Sequence, residues 1–267
     1  IGVDMHIGKY VFAQITQFLP QRHFRRILTK YDDRTKGWSF SHWSHMLVLM
    51  FGQLIDCGTL RELTDITTAH GKKSKHLGFG DKPVNRQMLS KANLLRDHHI
   101  FEEFAFHMVS IAQSKRITKE FELHGRFYAI DSTTIDLCMS VFRWAEFRST
   151  KSGIKVHTLI DIATEIPVFY RITNAKVHDV NSMDWFTYEA LACYVFDRGY
   201  FDLARLYKIH VFGAFFIIRE KGKPAYEIVD GESILDGTDN VLKDQSIRFT
   251  KKENLEKYPG TVRRIVY

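Results

Sequence analysis

The sequence predicts an α+β protein in which a helical N-terminal domain (residues 1–120) precedes a domain built on a mixed β-sheet (residues 121–267). Two observations predict this division. Apolar residues recur at helical spacing between residues 8 and 115, whereas short runs rich in β-branched and aromatic residues begin at residue 126. The later runs and the helical segments between them follow the order strand, strand, strand, helix, strand, helix, strand.

The N-terminal helices are indicated by apolar periodicity together with residues that start and end helices. Pro20 ends the first helix, and Thr59 is the expected N-cap of a later one, with Glu62 at the capping-box position. The two helices on either side of the loop at residues 71–84 have helix-turn-helix character, although this loop is longer than usual. Helices are predicted over residues 12–19, 24–30, 43–55, 60–69, 85–95 and 101–112.

Positive charge is concentrated in the helical region. The whole chain has 38 Lys and Arg against 31 Asp and Glu, and residues 1–100 hold 15 basic and 8 acidic side chains. A one-sided basic segment is expected of a protein that binds a polyanion, although a solvated helix face would look similar. The candidate DNA-contacting residues of this region are Arg22, Arg25, Arg26, Lys72, Lys73, Lys75, Arg86, Gln87 and Lys91.

The sheet domain is predicted from short β-rich runs that turn-forming residues separate. A tight turn at residues 163–165 joins the second and third strands, and residues 220–267 are polar and turn-rich, as expected for the beginning of a β-rich insertion. Strands are predicted over residues 126–132, 153–162, 166–173, 193–196 and 214–219, helices over 181–192 and 201–210, and strand-like pieces over 246–249 and 262–267.

Composition excludes several classes of protein. With 45% hydrophobic and 26% charged residues, the chain is neither disordered nor fibrous. No apolar run approaches the roughly 20 residues that a membrane span needs, so we expect no membrane partner. The three cysteines lie far apart without Cys-x-x-Cys spacing, which favours free thiols in a reducing cytoplasm. The adjacent His98 and His99 lack the paired spacing of a zinc module.

Two aspartates indicate the chemistry. Asp131 lies in the first predicted strand and Asp197 ends the fourth, so neighbouring strands would bring their carboxylates together. An aspartate in an apolar strand is costly unless it is paired or bound to a cation, and hard oxygen ligands favour Mg²⁺ or Mn²⁺. Two such ions roughly 4 Å apart support in-line attack at phosphorus. The alternative is that each aspartate caps a turn or pairs with an arginine such as Arg198.

Four motifs of the sheet domain carry a family resemblance: YAIDSTTIDL at 128–137, GIKVHTLID at 153–161, NAKVHDVN at 174–181 and YVFDRGYFD at 194–202. Together with shorter N-terminal segments, they resemble the conserved blocks of DDE transposases of the insertion-sequence-four family. The strand order likewise resembles the ribonuclease H-like fold, in which the first and fourth strands lie side by side at the sheet centre.

The resemblance implies roles for individual residues. Asp131 and Asp197 match the first and second catalytic, metal-binding aspartates, and Arg198 lies beside the second. Lys155 and His157 alternate onto one face of the second strand, which suits contact with a DNA phosphate and equally suits a structural role. The implied cofactor is Mg²⁺ or Mn²⁺.

A third carboxylate is expected from the family but not found. The resemblance implies a glutamate on a later helix, within a Tyr-x-x-Arg-x-x-x-Glu-x-x-x-x-x-x-Lys motif. The glutamates of residues 220–267 lack the tyrosine, arginine and lysine of this motif. We therefore expect a C-terminally truncated chain that binds metal poorly and catalyses little.

The function expected from these observations is that of a DNA transposase, which cleaves insertion-sequence ends and transfers the strands in cut-and-paste transposition. The implied partners are double-stranded DNA (terminal inverted repeats and target DNA) and a second copy of the chain in the synaptic complex, in a bacterial cytoplasm. Two alternatives remain, an inactive DNA-binding remnant and a stand-alone nuclease of the same fold. The large helical region argues against the nuclease, since simple hydrolysis does not need it.

Overall fold

The computed structural model describes two compact units, Ile1–Ile111 and Ala112–Tyr267. Each unit has its own hydrophobic core. The residues described are 10–31, 40–80, 82–115, 125–137, 146–148, 151–222, 224–233 and 241–267.

The first unit is helical, as predicted. A 3-10 helix, Gly71–Lys75, lies within the segment that was predicted as a loop. The other observed bounds lie within a few residues of the predicted ones. The helices are α1 (Val11–Thr16), α2 (Gln21–Tyr31), α3 (His42–Leu54), α4 (Leu60–Ala69), α5 (Arg86–Leu95) and α6 (His99–Ser114).

The cap predicted for α4 is confirmed. The Thr59 hydroxyl accepts a hydrogen bond from the Glu62 backbone N–H at 3.1 Å. The Glu62 carboxylate in turn accepts from the backbone N–H of Gly58, also at 3.1 Å. Ser41 and Asn85 cap α3 and α5 in the same way. These side chains satisfy N–H groups that a helix start otherwise leaves unpaired.

The helices pack around buried aromatic and aliphatic side chains, among them Phe24, Leu47 and Leu89. The buried His45 reaches the edge of this core, where its ring Nε2 is 2.6 Å from the side-chain oxygen of the exposed Asn93.

The second unit is built on a six-stranded sheet. From one edge to the other the strands run β4, β3, β1, β5, β6, and β2 pairs with the beginning of β3. β3 is antiparallel to β1 and β4, whereas β5 and β6 run parallel to β1. This arrangement confirms the predicted ribonuclease H-like order. The strands are β1 (Phe127–Leu137), β2 (Glu146–Arg148), β3 (Lys151–Asp161), β4 (Ile166–Asn174), β5 (Cys193–Phe196) and β6 (Phe215–Ile218).

The helix predicted over residues 181–192 is wrong. The chain forms a 3-10 helix, Asp179–Asp184, and no regular element follows it before β5. Tyr188 instead donates a hydrogen bond from its hydroxyl to the Met183 carbonyl at 2.8 Å. Leu191 has a positive φ of 65°, which a right-handed helix cannot contain. Tertiary packing of the aromatic side chains has therefore overridden the apolar spacing.

The remaining elements agree better with the sequence. α7 (Leu203–Val211) corresponds to the helix predicted over residues 201–210. A three-stranded antiparallel sheet follows, and two of its strands cover the pieces predicted at 246–249 and 262–267. Its elements are β7 (Tyr226–Ser233), β8 (Lys243–Phe249), α8 (Lys252–Lys257) and β9 (Val262–Val266).

One face of the large sheet is covered by the segment after β4 and by α7. Tyr194, Met183, Leu206 and Ile209 are each at most 1% exposed there. Tyr258 joins the small sheet to this core, with its hydroxyl 2.6 Å from the His210 ring Nδ1. Within the described ranges, every helix is too short or too polar to span a bilayer.

Candidate active site

Asp131 and Asp197 lie at matching positions on neighbouring strands. β1 and β5 pair in parallel, and their last paired residues are Ile130 and Phe196. Each aspartate is the next residue in its chain, and adjacent strands are about 4.8 Å apart. Because side chains alternate along a strand, both aspartates lie on the face opposite to the buried Ile130 and Phe196. The topology thus places the two side by side at the point where the pairing of β1 with β5 ends.

Asp131 and Asp197 are both exposed. The sequence argument that Asp131 would be costly in an apolar strand is therefore wrong, since this face of the strand is open. The Ser132 backbone N–H donates to Asp131 Oδ1 at 2.7 Å, which orients the carboxylate. The Asp197 side chain makes no capping bond in the turn that follows, so the structure does not favour a capping role.

A polar cluster lies directly behind Asp131, on the covered face. The carboxylate of Asp179 accepts hydrogen bonds from the Ser132 hydroxyl at 2.6 Å and from Lys155 Nζ at 2.9 Å. His157 Nδ1 is 4.0 Å away from the same oxygen. Burial raises the pKa of Asp179, but the bonds from Ser132 and Lys155 outweigh this effect and hold the pKa below its usual value.

Lys155 and His157 are both engaged within the protein. Lys155 Nζ also donates to the Val177 carbonyl at 2.9 Å. His157 is 1% exposed, its Nε2 lies 2.9 Å from the Thr173 hydroxyl, and burial lowers its pKa. These contacts favour the structural interpretation of both residues over phosphate contact.

A family model described as a transposase DDE domain matches residues 122–264, which is more than half of the chain. The chain belongs to this family. A second model, described as a domain of unknown function (DUF4372), matches residues 7–80.

Similarity to individual proteins is more limited. The protein named "Putative transposase y4zB" from Sinorhizobium fredii is 30% identical over 181 residues, which covers 66% of this chain and 49% of that relative. The chain thus spans about half the length of this curated relative. A cryo-EM structure of the piggyBac transposase synaptic complex with hairpin DNA shares 9% identity at a TM-score of 0.37, covering 94% of this chain and 58% of that one. That likeness is too weak to support an argument.

The other residues predicted to contact DNA lie in four parts of this DDE family member. α2 carries Arg22, Arg25 and Arg26, and α5 carries Arg86, Gln87 and Lys91; all six are exposed. Lys75 is exposed at the end of the 3-10 helix, whereas the side chains of Lys72 and Lys73 lie outside the described part of the chain. Arg198 is exposed beside Asp197.

Sequence reasoning gave no role to Asp179. It follows β4 rather than lying in a strand, and its partners Ser132 and Lys155 belong to β1 and β3. Its place in the motif at 174–181 and the alternation of Lys155 with His157 were the available signals. Only the strand pairing shows that these residues meet.

A different group of possible metal ligands lies in the helical unit. Side-chain ligand atoms of Asp97, His98 and His99 are within 4.8 Å of one another, and all three residues are exposed. Asp97 Oδ1 accepts from the His99 backbone N–H at 2.9 Å at the start of α6. Helix capping explains this arrangement without a metal.

Proposed function

We propose that this protein is a DNA transposase of the insertion-sequence-four family, which cleaves the ends of its element and transfers the strands in cut-and-paste transposition. The observation that carries the proposal is the parallel register of β1 and β5, with Ile130 opposite Phe196. This register gives two remote aspartates equivalent places on neighbouring strands, Asp131 within β1 and Asp197 directly after β5. Membership of the transposase DDE domain family supports it.

Asp131 and Asp197 are proposed as ligands of Mg²⁺ or Mn²⁺. Two exposed carboxylates on adjacent strands fit such an ion, because they supply hard oxygen donors that repel each other without a cation. The chemistry that a bound divalent ion supplies is activation of a water or 3′-hydroxyl and stabilisation of the leaving oxygen. The protein's part is to hold both carboxylates at one open edge that a DNA phosphate can reach.

DNA binding is proposed for the predicted basic and amide side chains of α2, α5 and the 3-10 helix, with Arg198 beside the reacting phosphate. The partners would be the terminal inverted repeats, the target DNA and a second copy of the chain, acting in a bacterial cytoplasm. The proposed contacts are Arg22, Arg25, Arg26, Lys72, Lys73, Lys75, Arg86, Gln87, Lys91 and Arg198.

We also propose that the glutamates after β6 that pair with an arginine do not serve as the third carboxylate. Among the glutamates after β6, Glu220 lies 3.2 Å from Arg264 and Glu227 lies 3.6 Å from Arg248. These pairs give both glutamates a structural role. Asp131 and Asp197 alone would hold a metal less tightly than a complete set of three carboxylates.

The test is to replace Asp131 or Asp197 by alanine in the whole protein. Both variants should lose Mg²⁺-dependent nicking at element ends while gel-shift affinity for those ends stays near that of the wild type. Asp230→Ala, at an exposed position of β7, is the matched control and should keep both properties. Unchanged nicking in the Asp131 and Asp197 variants would refute the metal assignment, and lost DNA binding would make these residues structural.

The same assays on the wild type, together with an assay for joining a cut strand to target DNA, separate the alternatives. An inactive remnant would bind the ends without nicking them even as the wild type, and a stand-alone nuclease would nick them without joining a strand to target DNA. A transposase should nick the ends and also join the cut strand to target DNA.

DNA affinity should fall steeply with salt, because each Lys or Arg contact to a phosphate releases bound counterions, with a slope of about −0.9 per contact. Replacing Arg22, Arg25 and Arg26 together by glutamine should make this slope shallower by up to about 3. A flat salt response of the wild type would exclude the basic helical region as the DNA-binding surface.

A further inference from the structure

Asp179 connects the strand that carries Asp131 to its neighbour in the sheet. We propose that Asp179 is a positioning residue that, through Ser132, holds the Asp131 carboxylate in place for metal binding. This inference rests on the proposed function and adds a residue to the machinery of the same site.

The contacts of Asp179 span two strands. Its carboxylate accepts from the Ser132 hydroxyl on β1 at 2.6 Å and from Lys155 Nζ on β3 at 2.9 Å. β1 and β3 are paired at this point, with Ser132 opposite His157. One carboxylate therefore ties together the two strands just behind the proposed metal ligand.

Ser132 is the link to the metal face. Consecutive residues of a strand point to opposite faces, so Ser132 is bound on the covered face while Asp131 remains on the open one. The backbone N–H of Ser132 donates to Asp131 Oδ1 at 2.7 Å. Any displacement of Ser132 therefore moves the donor that orients the Asp131 carboxylate.

Asp179 is itself held firmly. It begins the 3-10 helix after β4, where the fully buried Ser182 donates from its hydroxyl to the Asp179 carbonyl at 2.7 Å. The side chain of its partner Lys155 is 14% exposed. Without the negative charge of Asp179, this largely buried cation would lose its counter-ion and the Ser132 hydroxyl would lose its charged acceptor. The ion pair also makes Asp179 a support rather than a free metal ligand.

The test compares Asp179→Asn with Asp184→Asn in the whole protein. Asp184 is the matched control because it lies in the same 3-10 helix and is also ion-paired, to Arg205 at 2.8 Å and Lys208 at 3.4 Å. Mn²⁺ binding is followed by electron paramagnetic resonance of the free ion without DNA, and nicking is measured as a function of Mn²⁺ concentration.

Asp179→Asn should weaken Mn²⁺ binding about 10- to 100-fold, the usual effect of losing a group that supports a ligand. Nicking should then need correspondingly more Mn²⁺, and its maximal rate should return towards that of the wild type at saturation. Asp184→Asn should leave the Mn²⁺ affinity within about twofold. Unchanged affinity in Asp179→Asn, or equal loss in both variants, would overturn the inference.

Ser132→Ala tests whether Asp179 acts on Asp131 through Ser132. It also replaces Asp179→Asn as the test variant if Asp179→Asn does not fold. It should weaken Mn²⁺ binding by a similar factor, and the double variant should be no weaker than either single one. Independent losses that multiply would show that Asp179 does not act through Ser132. Asp131→Ala separates a failure of this inference from a failure of the proposed metal site. If Mn²⁺ binds Asp131→Ala as tightly as the wild type, the proposed metal site itself is refuted.

Discussion

Replacing Asp131 or Asp197 by asparagine should stabilise the metal-free protein slightly while removing its metal response. Both carboxylates are exposed on the same face of adjacent strands, directly after the paired residues Ile130 and Phe196, so they repel each other when no cation is bound. Asparagine keeps the side-chain oxygen that accepts from the Ser132 backbone N–H, so the change at residue 131 removes charge with little change of shape.

The expected magnitude follows from the strand spacing. Two unit charges about 5 Å apart repel by roughly 0.8 kcal/mol in a water-like dielectric and by about 3 kcal/mol at an effective dielectric constant of 20. Because both groups are exposed, the lower figure applies, and salt at 0.15 M screens it further. Each single variant should therefore gain about 0.5 to 1 kcal/mol in the free energy of unfolding at low salt. The double variant should gain no more, because either change removes the whole repulsion.

The assay is a double-mutant cycle by urea unfolding in chelator and at low salt, repeated with saturating Mg²⁺. With Mg²⁺ the order should reverse, since only the wild type keeps both ligands and is stabilised by the ion. Additive effects of the two changes, or a loss of more than about 1 kcal/mol for each, would refute the reasoning. Additive effects would mean that the two carboxylates are not neighbours. A large loss for each variant would mean that the carboxylates stabilise the folded protein.

Two further predictions concern the helical unit. A Cβ added at Gly78 (φ +80°) would lie 2.6 Å from Leu47 Cδ1 in the core, so Gly78→Ala should lower the free energy of unfolding in urea by about 3 kcal/mol. Gly71→Ala is the control, since Gly71 has a positive φ (+50°) but open space around it, and should lower the free energy of unfolding by only about 1 kcal/mol. Equal losses in the two variants would contradict the clash with Leu47. Burial lowers the pKa of His45 to about 4, so the folded state binds fewer protons than the unfolded state between pH 4 and the ordinary value of 6.5. The contribution of neutral His45 to the free energy of unfolding is thus complete above pH 6.5 and falls by about 3 kcal/mol towards pH 4. His45→Gln should flatten this pH dependence of the unfolding free energy. If the variant keeps the full slope, His45 is not its source.

Local signals predicted the elements that local physics specifies. The helix Leu60–Ala69 was predicted at the bounds that the structure has, because Thr59 accepts from the Glu62 N–H in its first turn and Glu62 accepts from the Gly58 N–H just before it. The strand Cys193–Phe196 was likewise predicted at its observed bounds from a short apolar run. Such signals need no knowledge of distant residues.

The predictions that failed depended on packing between distant segments. Residues 181–192 have apolar side chains at helical spacing, yet aromatic contacts such as Phe186 with Tyr194 accompany an irregular path. The short strand Glu146–Arg148 was not predicted, since three residues carry too little pattern to stand out. The exposure of Asp131 also escaped prediction, because sequence alone does not show which face of a strand is covered.

By itself, the sequence determined the α+β class, the basic character of the helical region and the two aspartates proposed for catalysis, because each is encoded in residue type and short-range spacing. Only the tertiary structure decided that Asp131 and Asp197 follow directly paired residues of adjacent strands and that Asp179 bonds to both Ser132 and Lys155. The physical reason is that parallel strand register and side-chain contacts across a sheet join segments tens of residues apart, and neither leaves a periodic signal in the chain.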